Sequence, residues 1–298
     1  MQIKDVIMTK RGIIGFALVM LMWFGMCPLW AQNEPQALFV YPQAPDTCTT
    51  LESRSNYVLA HFWETFDFGK PITDDMALVK TFRDYADMFK YGHRNVVMAS
   101  VRDFMFKLRA NSTNLSKVGQ VAEMVLYGPM ADYWSDEMYV EFAKSLAGAT
   151  VLKKDEREYY SRQIALIGSC QEGMPLRLDY TDAVTASKRN IQQIDTVMTV
   201  VMFVDDGIDS RTGRTLLDTD LTLSKLIEQG AVKLLCIYNG TPSTDWAASI
   251  PASWGKGYAN RIEQQIDLRF LPSCYLLDEN HCIVQKNMSV QDFKAALE

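Results

Sequence analysis

The stretch Leu271-Pro272-Ser273-Cys274-Tyr275-Leu276-Leu277-Asp278 decides the fold of this chain. Residues 272–277 read as a strand, and Asp278-Glu279-Asn280 as the turn that ends it. Residues 282–286 form the second strand of the same hairpin. Further upstream, residues 232–238 are an apolar run of strand length. Residues 196–204 (TVMTVVMFV) are β-branched and too continuous for a strand with one wet face, so they predict a central strand covered on both sides. Residues 220–230 predict a helix closed by Gly230, residues 258–266 a short helical segment, and residues 289–297 a capped terminal helix. Strand, helix, strand, helix, hairpin, helix is an α/β order with the hairpin antiparallel.

Before Gly168 the pattern is helical throughout. Residues 57–68 (YVLAHFWETFDF) are dense in aromatics and stop at Gly69-Lys70-Pro71. Asp74 caps a helix running through Phe89, with Leu78, Phe82, Tyr85 and Phe89 on one face. Similar helical stretches are predicted at residues 95–110, 118–127, 135–146 and 153–167. His61 and Glu64 lie three apart, and the aromatics around them favour a core or domain-contact histidine over a general base. Asn111-Ser112-Thr113 fits a glycosylation sequon and predicts a surface loop.

The residues 271–278 resemble the "T-P-T-x-Y-L-L-D" segment of TlpA/ResA-like thioredoxins, in which the proline is cis; this makes Pro272 the cis-proline position. Gly173-Met174-Pro175-Leu176-Arg177-Leu178-Asp179-Tyr180 is similar to the family's leading "G-x-x-A-P-x-F" segment, and Asp245-Trp246 with Trp254 to its "W…W" stretch. The resemblance covers about residues 168–298. His61-Phe62-Trp63-Glu64-Thr65-Phe66-Asp67-Phe68 resembles the "H-F-W-D-x-F-D-F" signature of a helical domain of unknown function, found before thioredoxin-like domains in Gram-negative envelope proteins.

The resemblance implies a redox pair shortly after the first central strand, where a helix N-terminus lowers the thiol pKa. Aligning Phe203-Val204-Asp205-Asp206-Gly207 with that strand end puts Ile208 and Arg211 at the two cysteine positions, so dithiol exchange is lost. Asp205, Asp206 and Asp209 would further oppose a thiolate. With Asp218 and Asp220 they form a solvated acidic loop rather than a calcium loop, because the alternating ligands and terminal Glu of an EF-hand are missing. Cys274 is the remaining candidate catalytic residue, acting alone or with Cys282 or Cys236; the competing reading is a small hydrophobe on a buried strand.

Lys4, Lys10 and Arg11 precede an apolar run from Gly12 to Trp30, followed by Ala31-Gln32, the layout of a secretory signal peptide. Met26 before Cys27 and Phe24 where Leu is usual argue against a lipoprotein signal. Cleavage after Ala31 leaves five cysteines, an odd number without Cys-x-x-Cys; a Cys48–Cys170 bridge stays open as an option. The net charge of −6 and the absence of basic, aromatic-interleaved runs exclude nucleic acid as a partner. Neither a P-loop, a Rossmann glycine pattern, nor Gly-x-Ser-x-Gly occurs, and the three histidines have no metal-ligand spacing.

The sequence therefore predicts an α+β two-domain protein. A signal peptide (1–31) and an extended lead-in (32–49) precede an all-α helical domain (50–168) and an α/β thioredoxin-like domain (169–298). The expected role is a redox-inactive binding or structural module in the periplasm or cell envelope, with a protein partner, no membrane span after cleavage, no cofactor and no metal. The alternative is a thiol oxidoreductase or peroxidase using Cys274.

Overall fold

Among the described residues, six α-helices precede every strand: α1 (Leu51–His61), α2 (Asp75–Asp87), α3 (Arg94–Lys107), α4 (Ser112–Leu126), α5 (Asp136–Ala147) and α6 (Lys154–Ser169). The computed structural model describes residues 36–194 and 198–297. The signal-peptide reading, Cys27 and the start of the lead-in lie outside those residues. Short polar side chains cap α1, α2, α4 and α5, as their chemistry dictates. Asp74 Oδ1 accepts from the Ala77 amide at 2.9 Å, and Ser135 Oγ from the Met138 amide at 3.3 Å.

Two helix boundaries differ from the sequence reading. α1 stops at His61, and residues 62–65 turn back so that Phe62 and Trp63 enter the core. Trp63 stacks on Phe104 at 3.8 Å, and Phe62 meets Tyr85 at 4.9 Å. A continued helix would carry these adjacent residues about 100° apart; the turn buries both. α4 begins at Ser112 because Asn111 Oδ1 accepts from the Thr113 and Asn114 amides. The sequon is thus a helix start, not a loop.

The second half is one seven-stranded mixed sheet built from β1 (Asp179–Asp182), β2 (Lys188–Asn190), β3 (Met198–Val204), β4 (Val232–Asn239), β5 (Gly255–Ala259), β6 (Ser273–Leu277) and β7 (Ile283–Met288). Its order is β2-β1-β5-β4-β3-β6-β7. β3, β4 and β5 run parallel, while β6 and β7 form the antiparallel hairpin. β3 alternates Val200, Met202 and Val204 on one face with Val201 and Phe203 on the other, and both faces are buried. α7 (Ile208–Asp218), α8 (Leu221–Glu228) and α9 (Val290–Leu297) complete the half. Asp220 caps α8, and Ser289 Oγ accepts from the Asp292 amide to start α9.

The helical segment expected at residues 258–266 is instead β5 followed by a 3₁₀ turn, Ile262–Gln264. Two glycines in β5 mask the strand pattern, and one is required by packing. A Cβ at Gly257 would stand 2.4 Å from Tyr180 Cδ2 and 2.9 Å from the Thr181 carbonyl on β1.

Residues 36–194 and 198–297 belong to one compact unit, and its two halves meet around a buried carboxylate. Asp267 is 0% exposed. Its oxygens accept from Tyr127 Oη on the helical half at 2.6 Å and from Lys286 Nζ at 2.5 Å, and pair with Arg269 Nη2 at 3.1 Å. Arg269 and Lys286 also bind Asp136 at the start of α5, the latter at 2.7 Å. The Arg269 guanidinium lies 4.3 Å from the Tyr127 ring and 5.2 Å from Trp134. Burial alone would raise the Asp267 carboxyl; the Arg269 and Lys286 charges outweigh it and hold the pKa below the ordinary value.

Removing the charge should leave two buried cations short of a partner. Asp267→Asn is expected to lower stability in urea unfolding by about 3–5 kcal/mol. Lys154→Ala, which breaks an exposed pair with Glu158, should change it by about 0.5 kcal/mol or less. A carboxyl depressed in the folded state stabilises above its unfolded pKa, about 4, and loses that contribution as pH falls through the folded value. Urea midpoints followed from neutral to about pH 3 should therefore fall more steeply for the wild type than for Asp267→Asn.

Candidate functional site

α7 starts directly after β3, and Ile208 is its first residue, 70% exposed. Arg211 follows one turn later and donates from Nη1 to the Asp206 carbonyl at 2.8 Å. The end of the helix is already served by carboxylate: Asp205 Oδ1 accepts from the Gly207 amide at 2.9 Å and from Ser210 Oγ at 2.6 Å. Asp209 occupies the first turn. The positive end of the helix thus faces aspartates where a thiolate would otherwise gain from it. Asp218 and Asp220 lie at the far end of α7, and Asp220 pairs with Lys294 at 3.1 Å. Among the described residues no group of three or more acidic, His or Cys side chains could hold a metal ion.

The Leu271–Pro272 peptide bond is cis. α7 presses on this loop through Gly213, where a Cβ would stand 3.1 Å from Pro272 Cγ, 2.9 Å from Val290 Cγ2 and 3.2 Å from Met202 Cε. Cys274 lies beneath, 0% exposed, in the apolar cluster shared with Val290 and Phe293. Met202 on β3 is the register partner of both Cys236 on β4 and Cys274 on β6, so the cysteines are two strands apart. At about 4.8 Å per strand their Cα atoms are roughly 9.6 Å apart, beyond the roughly 7 Å a disulfide spans. Burial pushes both thiols up to about 12; the neighbouring Cys236 adds to the effect at Cys274, and Arg214 and Lys256 only partly offset it at Cys236.

Cys282 sits at the other end of the β6–β7 hairpin, where Leu277 pairs with Ile283. Cys48 and Cys170 are free thiols, so the option of a bridge between them is not realised. Cys170 instead caps α6, and its sulfur accepts from the Asp267 amide at 3.3 Å. His61 and Glu64 do meet, at 2.6 Å, but both are substantially exposed at the end of α1. The histidine is therefore a surface group rather than a core one.

A cleft of about 1110 Å³ opens between α4, α6 and residues 263–269. Glu123 Oε1 there accepts from Tyr159 Oη at 2.6 Å and Gln163 Nε2 at 3.0 Å. Neither this network nor the Asp136–Asp267–Arg269–Lys286 cluster was foreseen from sequence. Each joins residues dozens of positions apart, and a charged residue read alone looks like a solvated one.

Residues 27–169 match the family model described as a domain of unknown function (DUF5106). No curated protein matches the chain. A thioredoxin-like protein from Bacteroides caccae is similar in structure, with a TM-score of 0.71 at 19% identity, over 87% of this chain and 98% of that one. A conserved protein of unknown function from Bacteroides fragilis aligns at TM-score 0.39 and 23% identity, over 43% of this chain and 99% of that one. The thioredoxin domain of a Bacteroides vulgatus thiol-disulfide oxidoreductase aligns at TM-score 0.36 and 15% identity, over 43% and 95%. The first of these establishes the fold: a helical half joined to a thioredoxin-like sheet.

The burial pattern predicts how the thiols react. Under native conditions near neutral pH, maleimide should modify Cys48 and Cys282 within minutes and leave Cys170, Cys236 and Cys274 untouched until urea unfolds the chain. Peptide mass spectrometry reads each site separately.

Proposed function

Since the chain joins a DUF5106 domain to a thioredoxin-like fold, we propose that it is a non-catalytic binding module of the cell envelope, whose sheet half engages a protein partner without thiol–disulfide exchange. The observation that carries this reading is the replacement of the redox pair: Ile208 and Arg211 stand at the exposed helix start, and neither can form a thiolate. The burial of Cys274 supports the same reading: its thiol is dry, and its nearest strand neighbour with a thiol, Cys236, stands two strands away, beyond bonding reach. Export is supported by the sequence of residues 1–31 alone.

We read the helical unit of residues 50–168 and the sheet unit of residues 169–298 as two domains pressed together. One apolar cluster draws its buried members from residues 59–167, and two others from residues 170–293.

The protein is expected not to accelerate insulin precipitation by dithiothreitol, and Cys274→Ser should leave that result unchanged. A rate above the uncatalysed one that vanishes in Cys274→Ser would sink the reading. In the converse experiment, the double substitution Ile208→Cys with Arg211→Cys places two thiols at the start of α7. It is expected to form an oxidisable pair, detected by mass spectrometry as loss of two hydrogens.

A further inference from the structure

Three cavities adjoin at one side chain. Gln265 lines the cleft of about 1110 Å³ beside α4 and α6, and also two cavities of about 550 and 480 Å³ along the β1–β2 hairpin. Together they form a trough running from the helical half across residues 263–269 to the sheet edge. No residue of α7 or β3 lines it, so it is a surface separate from the one where the redox pair is replaced.

The trough brings together basic side chains, free amides and tyrosine rings. The chain carries a net charge of −6, yet Arg162, Arg177, Lys188 and Arg189 line the trough and make no ion pair among the described residues. The carboxylates present are Glu123, Glu263 and Asp179, of which Glu123 and Asp179 already accept side-chain hydrogen bonds. Gln264 and Gln265 are exposed and their side chains make no hydrogen bond among the described residues. An amide both donates and accepts, as a sugar hydroxyl does. Tyr159 at one end and Tyr258 at the other add partly exposed rings. Unpaired cations call for carboxylate or sulfate, free amides for hydroxyls, and tyrosine rings for the apolar face of a pyranose. The bordering edge strand β2 is only three residues long, a poor template for main-chain pairing with a peptide.

We propose that this trough binds an acidic oligosaccharide, a hydroxyl-rich chain bearing carboxylate groups. The cations at the β1–β2 end hold its charged units, and Gln264 and Gln265 bridge its hydroxyls in the middle.

The test is isothermal titration calorimetry of the full chain with three probes of similar length: oligogalacturonate, neutral malto-oligosaccharide and poly-glutamate. Oligogalacturonate is expected to bind, and the double variant Arg177→Ala with Arg189→Ala to weaken it roughly tenfold or more. Gln265→Ala should weaken it several-fold while leaving its salt dependence unchanged. Both variants alter exposed side chains, so an unchanged thermal unfolding midpoint separates loss of binding from loss of fold. The proposal is overturned if oligogalacturonate fails to bind, if poly-glutamate binds as tightly, or if either variant binds as the wild type does.

Discussion

A carboxylate sealed from water, Asp267, determines how the helical half and the sheet half of this molecule meet. Burying an ion costs several kcal/mol unless charge and hydrogen bonds are returned to it. Here Arg269 and Lys286 come from the sheet half, Tyr127 from the end of α4, and Asp136 from the start of α5. Two acids and two bases balance, so the cluster carries no net charge into the interior. Its geometry fits one docking of the halves only: a sliding of α5 along the sheet would strand both cations against a single acid. An apolar contact of equal area would tolerate such a slide, because apolar burial is non-directional.

The same cluster also fixes the main chain just after residues 258–266, where the sequence suggested a short helix. Tyr275 Oη and Asn287 Nδ2 both donate to the Asp267 carbonyl, and the Asp267 amide donates to Cys170 Sγ. A helix would commit that amide and carbonyl to its own ladder. With both main-chain groups claimed by β6, β7 and α6, the segment is held as a 3₁₀ turn and an extended stretch. The irregular conformation is thus a consequence of the ion cluster and not a weakness of local propensity.

What could be read from sequence was whatever had a local cause. The β6–β7 hairpin, the double-faced β3, the Asp220 cap of α8 and the Ser289 cap of α9 are all set by residues within one or two turns of each other. The misreadings share the opposite property. Gly255 and Gly257 look like strand breakers, and only the approach of Tyr180 from β1 shows why a side chain is excluded at Gly257. α7 carries Gly207 at its cap and Gly213 within it, which weakens a helical pattern; the glycine at 213 is explained by Pro272, nearly sixty residues away. The sequence reading of Ile208 and Arg211 rests on a short distance from β3. The trough was not legible in sequence, since its lining is assembled from α4, α6, the β1–β2 hairpin and residues 263–269.

The start of α7 and the trough contrast in where charge sits. At α7 the acidic side chains Asp205 and Asp209 meet the positive end of the helix, so that end is taken by the chain's own carboxylates. At the trough, Arg162, Arg177, Lys188 and Arg189 make no ion pair among the described residues, although the molecule has acids in excess. Residues 263–269 connect the two halves of this pattern, since Gln264 and Gln265 line the trough and Asp267 and Arg269, two to four positions on, hold the ion cluster. A ligand ordering Gln265 therefore acts on the segment whose main chain is fixed by Asp267. Any displacement it imposes must be borne by the contacts that hold α4 and α5 against the sheet, which makes the attachment of the helical half part of the trough's own geometry.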